Sequence, residues 1–325
     1  MTRTRLIPLM ALALAVMASL LLVGCGGGAA DSSTTSAPAD RPVIVATTSI
    51  LGAVVAEAVG DRAEVKVLMP NGSDPHEWRP SARDVAELQG ADLIVENGLG
   101  LEEGLTKSIA RAREDGVPVF TATDHVRVRN VGKEDAGHAH DGHDHGGHAD
   151  EGAADPHFWT DPSQMRAMVL ALPAAVKRAT GENVSATARR EAAALAALDR
   201  RLAAQAKTIP PDARTLVTGH ESLGYLASRY GLEVVGAVTP SLSSQGQVSA
   251  AHLSELSEAM RAAGTRVVFA EMGTPEQVAQ AVSDEAGATL VQLPSHALPA
   301  DGSYATYVSE MMRRITSALS GTGGR

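Results

Sequence analysis

The sequence predicts an α/β protein of two similar lobes, each a mostly parallel sheet flanked by helices and joined by one long helix. Short β-branched runs alternate with longer stretches of helical periodicity, the βαβ order that builds parallel sheets with helices on both faces. The alternation occurs twice, with four strand candidates in each half. Between the halves lies an Ala-rich stretch, and 325 residues leave room for two domains.

The elements follow in order. Arg3 and Arg5 precede an apolar run over 6–23, and Leu22-Val23-Gly24-Cys25 resembles a bacterial lipobox. Residues 1–24 therefore read as a lipoprotein signal peptide, with Cys25 as the lipidated residue. Length alone also permits a membrane-spanning anchor. Cys25 is the only cysteine, which excludes an intramolecular disulfide and favours lipidation. The acyl chains suffice for stable anchoring. Gly, Ala, Ser, Thr, Asp and Pro fill most of 25–41, a flexible tether. The folded part is thus expected on the outer side of the cell membrane, anchored by lipid.

The N-terminal lobe is assigned to 42–182. Its strands are expected at 43–46, 64–69, 92–96 and 117–121, and its helices at 51–59, 81–89 and 101–114, with Ser49 and Ser81 as N-caps. A polar loop at 131–154 interrupts the pattern. It carries His138, His140, His143, His145 and His148 among Gly, Asp and Ala, a composition that chelates transition metals weakly and exchanges them quickly. Ser163 then caps a helix to about 179, kinked at Pro173. The linker helix, 183–208, is capped by Ser185, carries Leu195, Leu198 and Leu202 on one stripe, and stops at Pro210-Pro211. It would be roughly 30 Å long. The C-terminal lobe, 209–325, has strands expected at 214–218, 232–236, 266–270 and 288–293. Its helices are expected at 222–230, 249–263, 275–286 and 303–319.

Asp74-Pro75-His76-Glu77-Trp78 and Asp155-Pro156-His157-Phe158-Trp159 repeat one motif, and these hold the only two Trp of the chain. Proline fixes its own φ and pushes the residue before it toward an extended conformation, so each copy aims its imidazole in a set direction. Asp-Pro alone is a common turn starter. Two matched copies point instead to one shared target, and histidine is the commonest ligand of zinc and its neighbours. His220, in Thr218-Gly219-His220-Glu221, follows a strand, and ligands in parallel sheets gather beyond the carboxyl ends of strands. Glu271 stands at the equivalent place on another strand, as a ligand or as the acceptor that orients a ligand histidine.

Pro70-Asn71-Gly72-Ser73-Asp74-Pro75-His76, the run from Ala91 to Glu102, Asp155-Pro156-His157-Phe158-Trp159-Thr160-Asp161-Pro162 and Gly219-His220-Glu221-Ser222-Leu223-Gly224-Tyr225-Leu226 occur in an order that resembles the zinc/manganese solute-binding lipoproteins of ABC transporters. The resemblance runs from about Val43 to about Ile315. It implies a metal held in the cleft between the lobes by His76, His157 and His220, and delivery to a membrane permease by a monomer. Many relatives place an Asp where this chain has Ser295. His296 is taken as the fourth ligand, with Glu271, Asp301 or water as alternatives.

Three neutral imidazoles favour Zn²⁺ over Mn²⁺, which prefers oxygen donors. Manganese remains the alternative cargo. A net charge of −10 argues against a nucleic-acid partner. A zinc hydrolase or lyase with water as fourth ligand is the competing class, with Glu77 or Glu221 as general base. The lipid tether and the chelating loop have no evident use in such an enzyme. A receptor for organic metal chelates would need more aromatic wall than 3% aromatic residues supply.

Overall fold

The computed structural model describes residues 41–131 and 152–322. The signal segment, Cys25 and most of the tether lie outside the described residues, as do His138, His140, His143, His145 and His148. The first half contains β1 (Val43–Ala46), α1 (Ser49–Val59), β2 (Glu64–Val67), α2 (Ala82–Gln89), β3 (Leu93–Glu96), α3 (Thr106–Glu114) and β4 (Val119–Thr121). Then come α4 (Pro162–Thr180) and α5 (Ser185–Ala206). The second half contains β5 (Thr215–Thr218), α6 (Gly224–Tyr230), β6 (Glu233–Ala237), α7 (Ala250–Ala263), β7 (Val267–Ala270), α8 (Glu276–Ala286), β8 (Thr289–Gln292) and α9 (Tyr304–Thr322).

The two sheets have the same topology. Their orders are β2-β1-β3-β4 and β6-β5-β7-β8, and every pairing is parallel. Strand side chains alternate between two layers. Val45 and Ile94 point into a core closed by Leu88, Leu105 and Ile109, while Ile44, Leu93 and Val95 point to the opposite face. In the second sheet Val217 and Val268 meet Leu256 and Met260, while Leu216 and Phe269 point the other way. The two opposite faces join one continuous core, which runs through α1, α4, α5 and α9.

The 22-residue α5 packs against α1 of one lobe and α6 and α9 of the other, with Leu195, Leu198 and Leu202 buried. It is about 33 Å long at 1.5 Å per residue. A shared apolar core of this kind restrains relative motion of two lobes.

Three helix caps differ from expectation. Thr48, not Ser49, caps α1, its hydroxyl accepting from Leu51 N at 3.3 Å. Asp161, not Ser163, caps α4, because its carboxylate reaches Ser163 N at 2.7 Å and Pro162 fills the first turn where no N–H is needed. Ser185 is already helical, and its N–H is taken by Asn183 Oδ1 at 3.1 Å. Thr187 instead ties this end to the first lobe by donating to Ala58 O at 2.6 Å. Ser81 caps α2 as expected, in a reciprocal capping box with Asp84. The helix expected at 101–114 begins only at Thr106, since Gly98, Leu99 and Gly100 all have positive φ and the chain must turn before it can wind.

Candidate metal centre

The twin motifs fold as twin turns. Asp74 Oδ1 accepts the N–H of His76 at 3.0 Å, and Asp155 Oδ1 accepts the N–H of His157 at 2.9 Å. In each, an Asp side chain holds the backbone two residues on, and the intervening Pro stiffens the bend. His76 follows β2 and His220 follows β5, both past the carboxyl ends of their strands. Pro156 O, just before His157, accepts from Asn97 Nδ2 at 3.0 Å. Asn97 directly follows β3, and the buried Glu102 carboxylate accepts from Asn97 N at 2.6 Å and from Thr47 Oγ1 at 2.7 Å. The stretch from Ala91 to Glu102 therefore works as a bracket for the second motif.

His76, His157 and His220 converge, their ligand atoms all lying within 4.8 Å of one another. All three are buried. His157 Nε2 stands 3.3 Å from His76 Nε2 and 3.2 Å from His220 Nε2. Two nitrogens at Zn–N distances of about 2.0–2.1 Å, separated by the tetrahedral angle, lie about 3.3 Å apart. The observed separations match that edge.

The other ring nitrogens face carboxylates. His157 Nδ1 lies 2.8 Å from Asp155 Oδ1, His220 Nδ1 lies 3.0 Å from Glu271 Oε2, and His76 Nδ1 lies 3.6 Å from Glu103 Oε1. At the distances seen for His157 and His220 a carboxylate favours the proton on Nδ1 and leaves the Nε2 lone pair bare, whereas His76 Nδ1 makes no hydrogen bond. Bare lone pairs aimed at one another repel, and a cation between them turns repulsion into coordination. Burial, then the charge of His220, lowers the pKa of His76 to about 4. His157 is lowered by burial, then by His220 and His76. For His220 burial also pulls down, but the hydrogen bond and charge of Glu271 outweigh it and the pKa is raised.

The remaining candidates separate. Glu271 is occupied: Oε1 accepts from Thr218 Oγ1 at 2.9 Å, and Oε2 from Ser222 Oγ at 2.6 Å while facing His220. It orients a histidine, the second of the two roles the sequence allowed. Asp301 is exposed and accepts from Ser303 N at 3.0 Å and Thr306 Oγ1 at 2.7 Å just ahead of α9, whose first turn is held by Ser303 Oγ accepting from Thr306 N at 3.2 Å, so it is not part of this cluster. His296 is buried with its Nε2 unpartnered, its ring centroid 5.8 Å from that of Trp159. It lies beside the trio but outside the group of mutually close ligand atoms among the described residues. Trp159 packs on His157, ring centroids 5.2 Å apart, whereas Trp78 packs on the core of the first sheet, so the matched tryptophans do different jobs. Sequence reasoning missed the role of Glu103, and that of Asp155 as an orienter.

A family model described as zinc-uptake complex component A, periplasmic, matches residues 44–321. The chain belongs to this family. Like other component A proteins, it is a metal-binding, solute-binding protein of an ABC transporter and not an enzyme. It is 27% identical over 309 residues to the manganese-binding lipoprotein MntA of Halalkalibacterium halodurans, covering 93% of this chain and 95% of that one. It is 29% identical over 277 residues to the high-affinity zinc uptake system protein ZnuA of Bacillus subtilis, covering 84% of each. The fold matches that of the periplasmic zinc binding protein TroA from Treponema pallidum with a TM-score of 0.72 at 24% identity, over 86% of this chain and 99% of that one. Component A relatives thus include both zinc and manganese binders by name.

Proposed function

We propose that the protein is an extracytoplasmic zinc-binding lipoprotein that captures Zn²⁺ between its lobes and delivers it to an ABC-transporter permease. One observation carries the choice of ligands and ion: three buried imidazoles, two of them with a carboxylate within 3.0 Å of Nδ1, present Nε2 atoms of which two pairs stand 3.2 and 3.3 Å apart. His76, His157 and His220 are the ligands of this reading. An all-nitrogen donor set suits zinc better than manganese. The fourth position falls to a water or to His296, whose buried Nε2 has no other partner.

The anchor is Cys25, and the tether lets the folded part reach a permease in the same membrane. The histidine-rich segment serves as an auxiliary metal collector. Its flanks support that role: Asp155 N donates to Arg129 O at 2.8 Å, and Val131 N to Ala153 O at 3.0 Å, so the segment leaves and rejoins the fold directly beside the Asp155-Pro156-His157 turn. The protein acts as a monomer in this reading.

The test is a competitive titration with Zn²⁺ and Mn²⁺, read by native mass spectrometry, on protein lacking residues 1–41 and 132–151. Retention of one zinc against excess manganese supports the proposal. Preferential retention of manganese replaces it with a manganese-carrying member of the same family.

A further inference from the structure

His76 differs from its two partners in where its supporting carboxylates are held. Asp155 backs His157 from within the first lobe, and Glu271 backs His220 from within the second. Both carboxylates on His76 are instead engaged across the cleft. Asp74, which accepts the His76 N–H with Oδ1, accepts Ser244 Oγ with Oδ2 at 2.6 Å. Glu103, whose Oε1 lies 3.6 Å from His76 Nδ1, accepts Ser243 Oγ at 2.8 Å. The two serines are neighbours in the loop after β6. Gly273, with φ of +84°, makes room for the first contact: a Cβ there would fall 2.6 Å from Asp74 Oδ2 and 2.7 Å from Ser244 Cβ.

We infer that Ser243 and Ser244 are positioning residues that set how long a bound cation is retained, by holding Asp74 and Glu103, and through them His76, only while the lobes are together. The inference rests on the capture function proposed above. Asn71 provides the contrast. It clasps the same two lobes through Nδ2 to Leu298 O at 2.8 Å and Leu298 N to Oδ1 at 2.7 Å, yet touches none of the three histidines or their carboxylates. Closure and ligand support are therefore separable. Parting of the lobes releases Asp74 Oδ2 and Glu103 from their serines, while the Asp155 and Glu271 carboxylates keep their contacts to His157 and His220 within their own lobes. His76 is then the ligand that lets go first.

The test is zinc dissociation from the full chain, timed by stopped flow with a chromogenic chelator. The paired variant Ser243→Ala, Ser244→Ala is expected to release zinc about tenfold faster, the size usual for loss of groups that orient a ligand, with the association rate unchanged. Ser243→Thr, Ser244→Thr, which keeps both hydroxyls, should restore slow release. In a His76→Ala background the alanine pair should have no further effect. Asn71→Ala, which loosens closure alone, should speed release by the same factor with or without His76. If release from His76→Ala is too fast to time, equilibrium affinities replace the rates in the same comparison. Unchanged release from the alanine pair would overturn the inference, as would equal acceleration with and without His76. Failure of the unaltered protein to bind zinc would instead overturn the capture function.

Discussion

His157 Nε2 stands 3.2 Å from His220 Nε2, and the two rings come from opposite lobes. Two imidazoles this close cannot both be charged, so a proton and a metal compete for the same space. The pKa of His220 is raised, Glu271 outweighing burial, while burial lowers those of His157 and His76. In the metal-free protein His220 is therefore the most easily protonated of the three imidazoles, and an incoming cation must displace that proton. Affinity is full above the pKa of His220 and falls below it by about tenfold per pH unit for each proton displaced. Burial also pushes Asp155 up to about 7, which adds to the proton release. Zinc titrations carried from above the ordinary histidine range down into acid should show this decline. A flat profile contradicts it.

Removing an orienting carboxylate should weaken binding without abolishing it. Glu271→Gln keeps the hydroxyl contacts of Thr218 and Ser222 but no longer fixes the proton on His220 Nδ1. The expected loss of zinc affinity is about 10- to 100-fold. Isothermal titration measures it, and an unchanged affinity would show that Glu271 does not act on the site.

Deleting residues 137–148 removes the five loop histidines and leaves the paired flanks at Asn130 and Ala154 in place. The deletion should lower the total number of ions bound or the rate of loading, while the tight site keeps its affinity. Loss of the tight site would mean that the loop supplies a ligand to it.

Leu198 lies on the buried stripe of α5, within the core shared by both sheets. Leu198→Ala should destabilise the metal-free protein by about 2–5 kcal/mol through lost transfer energy and a residual cavity. Denaturant unfolding reads the loss. An effect on only one lobe, seen as a split transition, would argue against a shared core.

Much of the fold was legible because strand periodicity and parallel topology reinforce each other. The run at 64–69 shows this: β2 ends at Val67, yet Leu68 N and Met69 N still donate to Ala46 O and Thr47 O at 2.9 and 3.0 Å. Helix starts were less legible, since Thr48 and Ser49, or Asp161 and Ser163, offer equivalent oxygens and only the local turn selects one. At the site, His76 and His157 were marked by a repeated Asp-Pro-His and His220 by its place after a strand. Glu103 and its partner Ser243 carried no signal, being 140 residues apart and joined only when two loops of opposite lobes meet. Asp301 looked eligible by type and position alone, and its carboxylate is taken up by Ser303 N and Thr306 Oγ1 instead.

The most direct test of the central claim is X-ray absorption at the zinc edge, on protein lacking residues 132–151 and loaded with one equivalent of zinc. Three imidazole nitrogens at about 2.0–2.1 Å are expected, reduced to two in His157→Ala. A shell of oxygens alone, or one unchanged by that substitution, would contradict the assignment of His76, His157 and His220 as the ligands.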